Sequence, residues 1–224
     1  MRKTPTSDTT TPATRRRLLA ELAELAGLAG MAGLARLAGL ATSLAVASGR
    51  PATAAPHFDA SAQGLVVMLR HAVTEPGIGD PRGYTLDDCS SQRLLSADGR
   101  AQARRMGATL AAHGLRATQV KSSRWCRCLD TARLGFGHAT PWPALDSFFD
   151  EPGRGPAQTA TLREALAALA PGEVVVWVTH QVNITALVGD GVAGVAMGET
   201  VVLRGHRQPD GSVRVQRLGG FVSA

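Results

Sequence analysis

The chain has 224 residues, enough for one globular domain with a sizeable core and an additional segment. Its formal net charge is +6, but residues 1–54 carry seven basic and three acidic residues, whereas residues 55–224 carry 17 and 15. A nearly neutral domain, in a chain with only 4% aromatic residues, lacks the basic stripe and stacking side chains of nucleic-acid binding proteins. We therefore expect no nucleic-acid partner.

Residues 1–54 are interpreted as a signal peptide. A basic start ending in Arg15-Arg16-Arg17 precedes an Ala/Leu/Gly-rich stretch at 25–47, and Ala52-Thr53-Ala54 then offers an A-x-A cleavage site. Consecutive arginines before a weakly apolar core resemble a twin-arginine signal. The alternatives are a wrongly assigned start codon and a disordered Ala-rich extension.

The expected destination follows from this leader. We predict a mature protein that begins near Ala55 and is periplasmic or secreted, with a single domain over residues 55–224. Arg36 interrupts the apolar stretch, and a charge in the bilayer centre is costly. No stable membrane span is therefore expected after cleavage.

The rest of the chain alternates between strand and helix patterns. Apolar or β-branched runs predict strands, and Ser96-Ala97-Asp98 before a periodic stretch predicts a helix start. Strands are predicted at 65–69, 118–122, 141–145 and 173–178, helices at 96–113, 125–134 and 159–169, and a hairpin at 201–205 and 213–218. This order predicts an α/β protein, a three-layer α/β/α sandwich with a mostly parallel central sheet. The Gly- and Pro-containing stretch at 75–93 is predicted to be a long loop, a length that is usually functional.

Polar clusters follow three of the predicted strands: Arg70-His71, Ser122-Ser123-Arg124 and Thr179-His180-Gln181. Ligands of open α/β sheets bind beyond the carboxyl ends of the strands, so these clusters are expected at one edge. Any one of them is more often structural than catalytic. Together they suit phosphoryl transfer, because arginine forks match phosphate oxygens and a neutral imidazole can act as a nucleophile.

Four segments resemble the histidine phosphatase superfamily, which includes phosphoglycerate mutase-like proteins. They occur in that family's order and are spread over most of the stretch from residue 65 to residue 190. Leu69-Arg70-His71-Ala72-Val73-Thr74 is similar to the R-H-G-x-T signature, with alanine in place of glycine. The other three are Leu95 to Ala103 (L-S-A-D-G-R-A-Q-A), Ser122 to Ala132 (S-S-R-W-C-R-C-L-D-T-A) and Val176 to His180 (V-W-V-T-H).

The resemblance implies a role for each matching residue. His71 would be the phosphorylated nucleophile, Arg70 and Arg127 would bind the phosphate, and His180 would stabilise the transition state. Arg124 competes with Arg127 but lies three positions before the family's arginine, and is interpreted as a solvated helix-start residue. Thr74 is a further phosphate-binding candidate, with loop capping as the alternative.

The general acid is the main departure from the family. Many members carry a glutamate in an L-x-E segment after the third strand, where this chain has Leu145-Asp146-Ser147. Asp150 is the preferred candidate for the general acid. The alternative is that Asp150 is an exposed loop carboxylate without a catalytic role. The other candidates are Asp146, Glu151 and the first-loop aspartates Asp80, Asp87 and Asp88. The three first-loop aspartates also hint at a ligand with hydroxyl or amine groups.

The resemblance therefore implies a phosphomonoesterase that acts on a small phosphorylated substrate in the cell envelope, through a phosphohistidine. The alternatives are a non-catalytic binder of phosphorylated ligands and a mutase-type phosphotransferase. The six histidines have no carboxylate or cysteine partner at metal-ligand spacing, so neither a metal nor another cofactor is expected.

The three cysteines, Cys89, Cys126 and Cys128, allow one disulfide and one leftover thiol in an oxidising compartment. The family arrangement would bring the long loop beside the helix that carries Arg127, so Cys89 is expected to pair with Cys126 or Cys128. Cys126 is preferred, because Cys128 suits the inner face of the helix. Three free thiols are the alternative.

Overall fold

The sheet at the centre of the molecule has six strands. The computed structural model describes residues 57–189 and 194–223, so the predicted leader lies outside the described residues. The strands are β1 (Leu65–Arg70), β2 (Gln119–Ser122), β3 (Thr140–Pro141), β4 (Val174–Thr179), β5 (Glu199–Arg207) and β6 (Val213–Val222). The helices are α1 (Ala97–Ala112), α2 (Cys126–Phe136), α3 (Gly155–Ala167) and α4 (Gln181–Val188).

The strand order is β3-β2-β4-β1-β5-β6. The first four strands in this order are parallel, whereas β5 pairs with β1 in the antiparallel sense and β6 with β5. The prediction of an α/β protein with a mostly parallel sheet is therefore confirmed. The carboxyl ends of β1, β2 and β4 meet at one edge, so the three polar clusters that follow these strands lie close together.

Two apolar cores cover the two faces of the sheet. Because side chains alternate along a strand, Leu65, Val67 and Leu69 of β1 belong to one core, and Val66 and Met68 belong to the other. The first core contains the inner faces of α1 and α2, and the second contains those of α3 and α4. These layers confirm the predicted three-layer sandwich.

The structure corrects the predicted elements in three places. The expected strand at 141–145 is a two-residue strand followed by a short 3₁₀ helix, Pro143–Leu145, because proline at its first position fixes a turn conformation. Helix α3 begins at Gly155, four residues earlier than expected. Helix α4 was not predicted, because eight residues that include Gln181 and Asn183 show no clear apolar period.

None of the helices in residues 57–189 and 194–223 combines the length and the apolar character needed to cross a bilayer.

Candidate active site

His71 lies directly after β1 and is 3% exposed. Its Nδ1 is 2.9 Å from the carbonyl oxygen of Ala72. A carbonyl can only accept, so Nδ1 carries the proton and Nε2 keeps the free electron pair. Burial, with a further contribution from the positive charge of Arg127, lowers the pKa of His71 to about 3. The imidazole is therefore neutral at ordinary pH, as a nucleophile must be.

The backbone around His71 is fixed by two distant parts of the chain. The N–H of Gly198 donates to the carbonyl oxygens of both Arg70 and His71, at 3.1 and 3.0 Å. Gly198 has a φ of +81°, and a side chain there would collide with Gln102. From α2, the hydroxyl of Thr131 accepts from the N–H of Ala72 at 3.0 Å.

Three arginines surround the imidazole: Arg70, Arg93 and Arg127 all line the same cavity as His71. Their Nε atoms are buried and have no hydrogen-bond partner within residues 57–189 and 194–223. Burial, together with the charges of neighbouring arginines, lowers the pKa values of Arg70 and Arg93. Crowded cations with unused donors form a site for a multiply charged anion.

Each arginine is anchored by one edge of its guanidinium. Nη1 of Arg70 donates to Oε1 of Gln181 at 2.9 Å, so the residue that replaces the family's common glycine positions a phosphate-binding candidate. Nη1 of Arg93 donates to the carbonyl oxygen of Gly77. Nη1 of Arg127 donates to Oδ1 of Asp80 at 2.7 Å.

Arg93 was missed by the sequence analysis. It lies at the end of the long loop, outside the four recognisable segments, and its backbone N–H donates to Oδ1 of Asp80 at 2.9 Å. The only sequence signal was its position directly before Leu94-Leu95, where the loop returns towards α1.

The second histidine, His180, lies directly after β4, and its ring centroid is 5.5 Å from that of His71. Its Nε2 is 2.9 Å from the hydroxyl of Ser123, which in turn donates to Asp146 at 3.3 Å. Burial, and then the charge of Arg127, lowers the pKa of His180 well below its usual value. The imidazole is thus neutral in the empty site and held in one orientation.

The two competing arginines, Arg124 and Arg127, have different surroundings. Arg127 is buried and lines the cavity, whereas the half-exposed Arg124 forms an ion pair with the buried Asp146, with Nη2 and Oδ2 2.6 Å apart. Arg124 is therefore a structural residue rather than a phosphate-binding one, but it has a specific partner instead of being solely solvated.

The candidates for the general acid differ in whether they line the cavity or form ion pairs elsewhere. Asp150 lines the cavity and is exposed, and Ser147 also lines it. Asp146 is committed to Arg124, and the exposed Glu151 lies 3.5 Å from Arg154. Asp150 therefore keeps its place as the acid candidate on geometry.

Among the three first-loop aspartates, Asp80 lines the cavity, and its carboxylate is engaged by donors of the protein. Asp80 accepts from Arg127 and from the backbone of Arg93 through one oxygen, and from Trp125 through the other, at 3.0 Å. Burial alone would raise the pKa of Asp80, but these hydrogen bonds and the charge of Arg127 hold it below its usual value. Asp87 and Asp88 do not belong to the described lining of the cavity, and Asp88 caps a short 3₁₀ helix. The hint that these carboxylates interact with hydroxyl or amine groups of a ligand stays a prediction for Asp80, which lines the cavity.

Thr74 is buried beside the site but lies outside the described lining of the cavity. Its hydroxyl donates to the sulfur of Met197 at 3.6 Å. Of the predicted site residues, the structure therefore brings together Arg70, His71, Arg127, Asp150 and His180 around one cavity, without Thr74.

A disulfide joins Cys89 to Cys126, with their Cα atoms 5.7 Å apart. It connects the long loop to the first residue of α2, one position before Arg127. Cys128 is free and buried, and its Sγ is 3.4 Å from Nε2 of His180. Burial raises the pKa of this thiol to about 12, so it remains protonated. The preferred pairing and the inner position of Cys128 are both confirmed.

No known family model matches the sequence, and no curated protein matches it either. Solved structures do match. A mycobacterial glucosyl-3-phosphoglycerate phosphatase aligns with 71% of this chain and 99% of its own, at 22% identity and a TM-score of 0.51. The protein histidine phosphatase SixA, solved with tungstate, aligns with 71% of this chain and 97% of its own, at 14% identity and a TM-score of 0.50. The chain has the histidine phosphatase fold. Identities at this level establish the fold alone, so the function of this histidine phosphatase-fold protein depends on the chemistry of its own site.

Proposed function

We propose that this protein is a phosphomonoesterase that forms a phosphohistidine at His71. The observation that carries the proposal is the neutral imidazole of His71 among three buried guanidinium groups whose Nε atoms find no partner among the described residues. Nε2 would attack phosphorus as the ester P–O bond breaks, and the departing alcohol would take up a proton. Water would then cleave the P–N bond and release inorganic phosphate.

The arginines supply the electrostatic part of the reaction. Arg70, Arg93 and Arg127 are already oriented by Gln181, Gly77 and Asp80, so little reorganisation is needed when a phosphoryl group enters. Preorganised donors of this kind stabilise charge on the equatorial oxygens of the transition state. His180, held by Ser123, would gain a proton beside the anion and donate to it.

Asp150 is proposed to protonate the leaving oxygen. Its carboxylate lies at the exposed rim of the cavity, where a leaving group would face solvent. Asp150→Asn should slow the first step by about 10²–10⁴-fold for esters of poorly acidic alcohols, and much less for p-nitrophenyl phosphate, whose leaving group needs no proton. Equal losses for both kinds of ester would remove Asp150 from this role.

A second candidate function is the binding of phosphorylated ligands without turnover. The observation that favours it is Ser147, which lines the cavity where the family commonly has its glutamate and cannot act as an acid. A zero rate against all esters, combined with tight binding of vanadate, would establish the binder and reject the phosphatase.

The decisive experiment is a screen of residues 55–224 against a panel of phosphate esters, with His71→Ala and His138→Ala compared. His138 is an exposed histidine outside the described lining of the cavity, so it controls for loss of an imidazole. We expect turnover and acid-labile trapped phosphate in the wild type and in His138→Ala, but neither in His71→Ala. Full activity of His71→Ala would reject the mechanism.

We also propose that the protein acts in the cell envelope after cleavage near Ala55. The disulfide between Cys89 and Cys126 supports this, because such bonds persist in oxidising compartments. N-terminal sequencing of the exported protein tests the cleavage site, and replacing Arg15-Arg16 by Lys-Lys tests the twin-arginine route. A full-length product confined to the cytoplasm would reject this proposal.

A further inference from the structure

Exposed apolar side chains concentrate at the mouth of the site. Within residues 57–189 and 194–223, three large apolar residues are exposed: Ile78 at 92%, Phe149 at 58% and Val222 at 55%. Ile78 and Phe149 both line the cavity that contains His71. Exposed apolar groups beside a ligand site commonly form part of that site.

The cavity is much larger than a phosphate group requires. It has a volume of about 670 Å³, which is in the range of sites that enclose a whole organic ligand. The arginines supply its charged region, whereas Phe148, Val182 and Met197 add apolar lining to Ile78 and Phe149. The site therefore combines an anion-binding region with an apolar wall.

A second groove of about 420 Å³ adjoins this cavity and shares Phe148 and Ala186 with it. The groove runs along the start of α3, and Pro152, Pro156 and Ala160 contribute to its lining. The groove thus places further apolar surface next to the cavity, on the side of Phe148 and Ala186.

The charged side chain in this groove is already engaged. The guanidinium of Arg163 donates to the carbonyl oxygens of Val213 and Leu187, at 3.2 and 3.4 Å. Asp80 and Gln181 in the main cavity are likewise bonded to arginines. Ser147, Asp150 and Thr185 also line the main cavity and are available to the hydroxyls of a leaving group, but the apolar lining side chains named above outnumber them.

We propose that the substrate is a phosphate monoester of a long-chain alcohol, with its phosphate among the arginines and its hydrocarbon chain along Ile78, Phe149 and the adjoining groove. This inference rests on the proposed phosphatase activity and names its substrate class. The reaction is the one given above: the P–O bond to the long-chain alcohol breaks, the alcohol leaves with a proton, and water releases phosphate from His71.

The length of the hydrocarbon chain provides the test. Butyl-, octyl- and dodecylphosphonic acid carry the same anionic group and cannot be hydrolysed, so their dissociation constants are measurable whether or not the enzyme turns over. Affinity should rise from butyl to octyl by up to about fourfold for each methylene removed from water. The kcat/KM values for the corresponding alkyl phosphates, kept below their micelle concentrations, should rise in the same order and exceed that of glucose 6-phosphate.

Substitutions test where the hydrocarbon chain of the ligand lies. Ile78→Ser combined with Phe149→Ser should flatten the dependence on chain length, and Ala160→Glu should weaken dodecyl- more than butylphosphonic acid. Val222→Ser removes the third exposed apolar side chain, on β6 and outside both linings, and should change none of these values.

Three outcomes overturn the inference. The first is an affinity that does not depend on the length of the hydrocarbon chain, and the second is a preference for glucose 6-phosphate. The third is that the Ile78→Ser/Phe149→Ser variant loses binding to phospholipid vesicles while its dependence on chain length persists. Chain-length-dependent binding without turnover would instead support the ligand class and reject the phosphatase. Turnover that is lost in His71→Ala but does not depend on chain length would support the phosphatase and reject the long-chain substrate.

Discussion

Oδ1 of Asp80 lies 2.7 Å from Nη1 of Arg127, and both side chains are at most 5% exposed. The carboxylate thus balances one of three clustered guanidinium groups while leaving Nε of Arg127 without a partner among the described residues. The site is therefore partly neutralised before any anion enters, and Arg127 is held in place for it.

Asp80→Asn should destabilise the protein because it removes this counter-charge from a buried arginine. We expect the free energy of unfolding to fall by about 1–3 kcal/mol. Added phosphate should raise the Tm of the variant more than that of the wild type, since the anion replaces the missing charge. Asp87→Asn, on the same loop and exposed, is the control. An unchanged Tm and an equal response to phosphate would contradict this account.

Arg127→Lys should mainly impair catalysis, whereas Arg124→Lys should mainly lower stability. Lysine cannot reproduce the planar fork, so Arg127→Lys should lower kcat/KM by at least tenfold. Arg124→Lys should leave kcat/KM largely intact and lower Tm, because it weakens contacts with the buried Asp146. Steady-state kinetics and thermal unfolding of the two variants distinguish these effects, and the reverse pattern would show that the arginines have been given the wrong roles.

The two site histidines should make stability depend on pH. Both have lowered pKa values in the folded protein, so between pH 6.5 and the folded values the unfolded chain binds more protons. Stability is thus fully present above pH 6.5 and is lost as the pH falls below it, by about 1.4 kcal/mol per pH unit for each histidine. Chemical unfolding at pH 7.5 and 5.5 measures the loss.

Substitution separates the contributions of the histidines. His71→Asn should reduce the loss between pH 7.5 and 5.5 by about half, whereas His138→Asn, at an exposed position, should leave it unchanged. A stability that does not vary over this range would show that the two imidazoles are not kept neutral in the folded protein.

Reduction of the disulfide should loosen the loop that carries Asp80 and Arg93. Cys89 and Cys126 are 37 positions apart, and closing a loop of this length contributes about 4 kcal/mol in the chain-entropy model. Dithiothreitol should lower both Tm and kcat/KM of the wild type and have no effect on Cys89→Ala. Cys128→Ala keeps the disulfide and should remain sensitive to the reductant. Full activity of the reduced wild type would show that the tether does not support the site.

The parts of this site that sequence could predict are those positioned by regular structure. Arg70, His71 and His180 directly follow buried strands, so the strand pattern located them, whereas Arg127 was located by the resemblance of its segment to the histidine phosphatase signature. Arg93 and Asp80 belong to a loop whose path depends on a disulfide and on contacts with Trp125, and neither can be deduced from local periodicity. The same holds for Gln181, whose role as a partner of Arg70 needs the three-dimensional arrangement.

The place of β1 in the sheet has a consequence for how the molecule is made. Its two neighbours are β4 and β5, which lie more than 100 residues further along the chain. A nascent chain that ends before residue 198 therefore has at least one unpaired edge on β1, and it lacks Gly198, which fixes the backbone at His71. Pairings over such separations form slowly, because the intervening chain must be ordered first. The pocket around His71 is consequently completed only after β5 has been added, and deletion of β5 should abolish it.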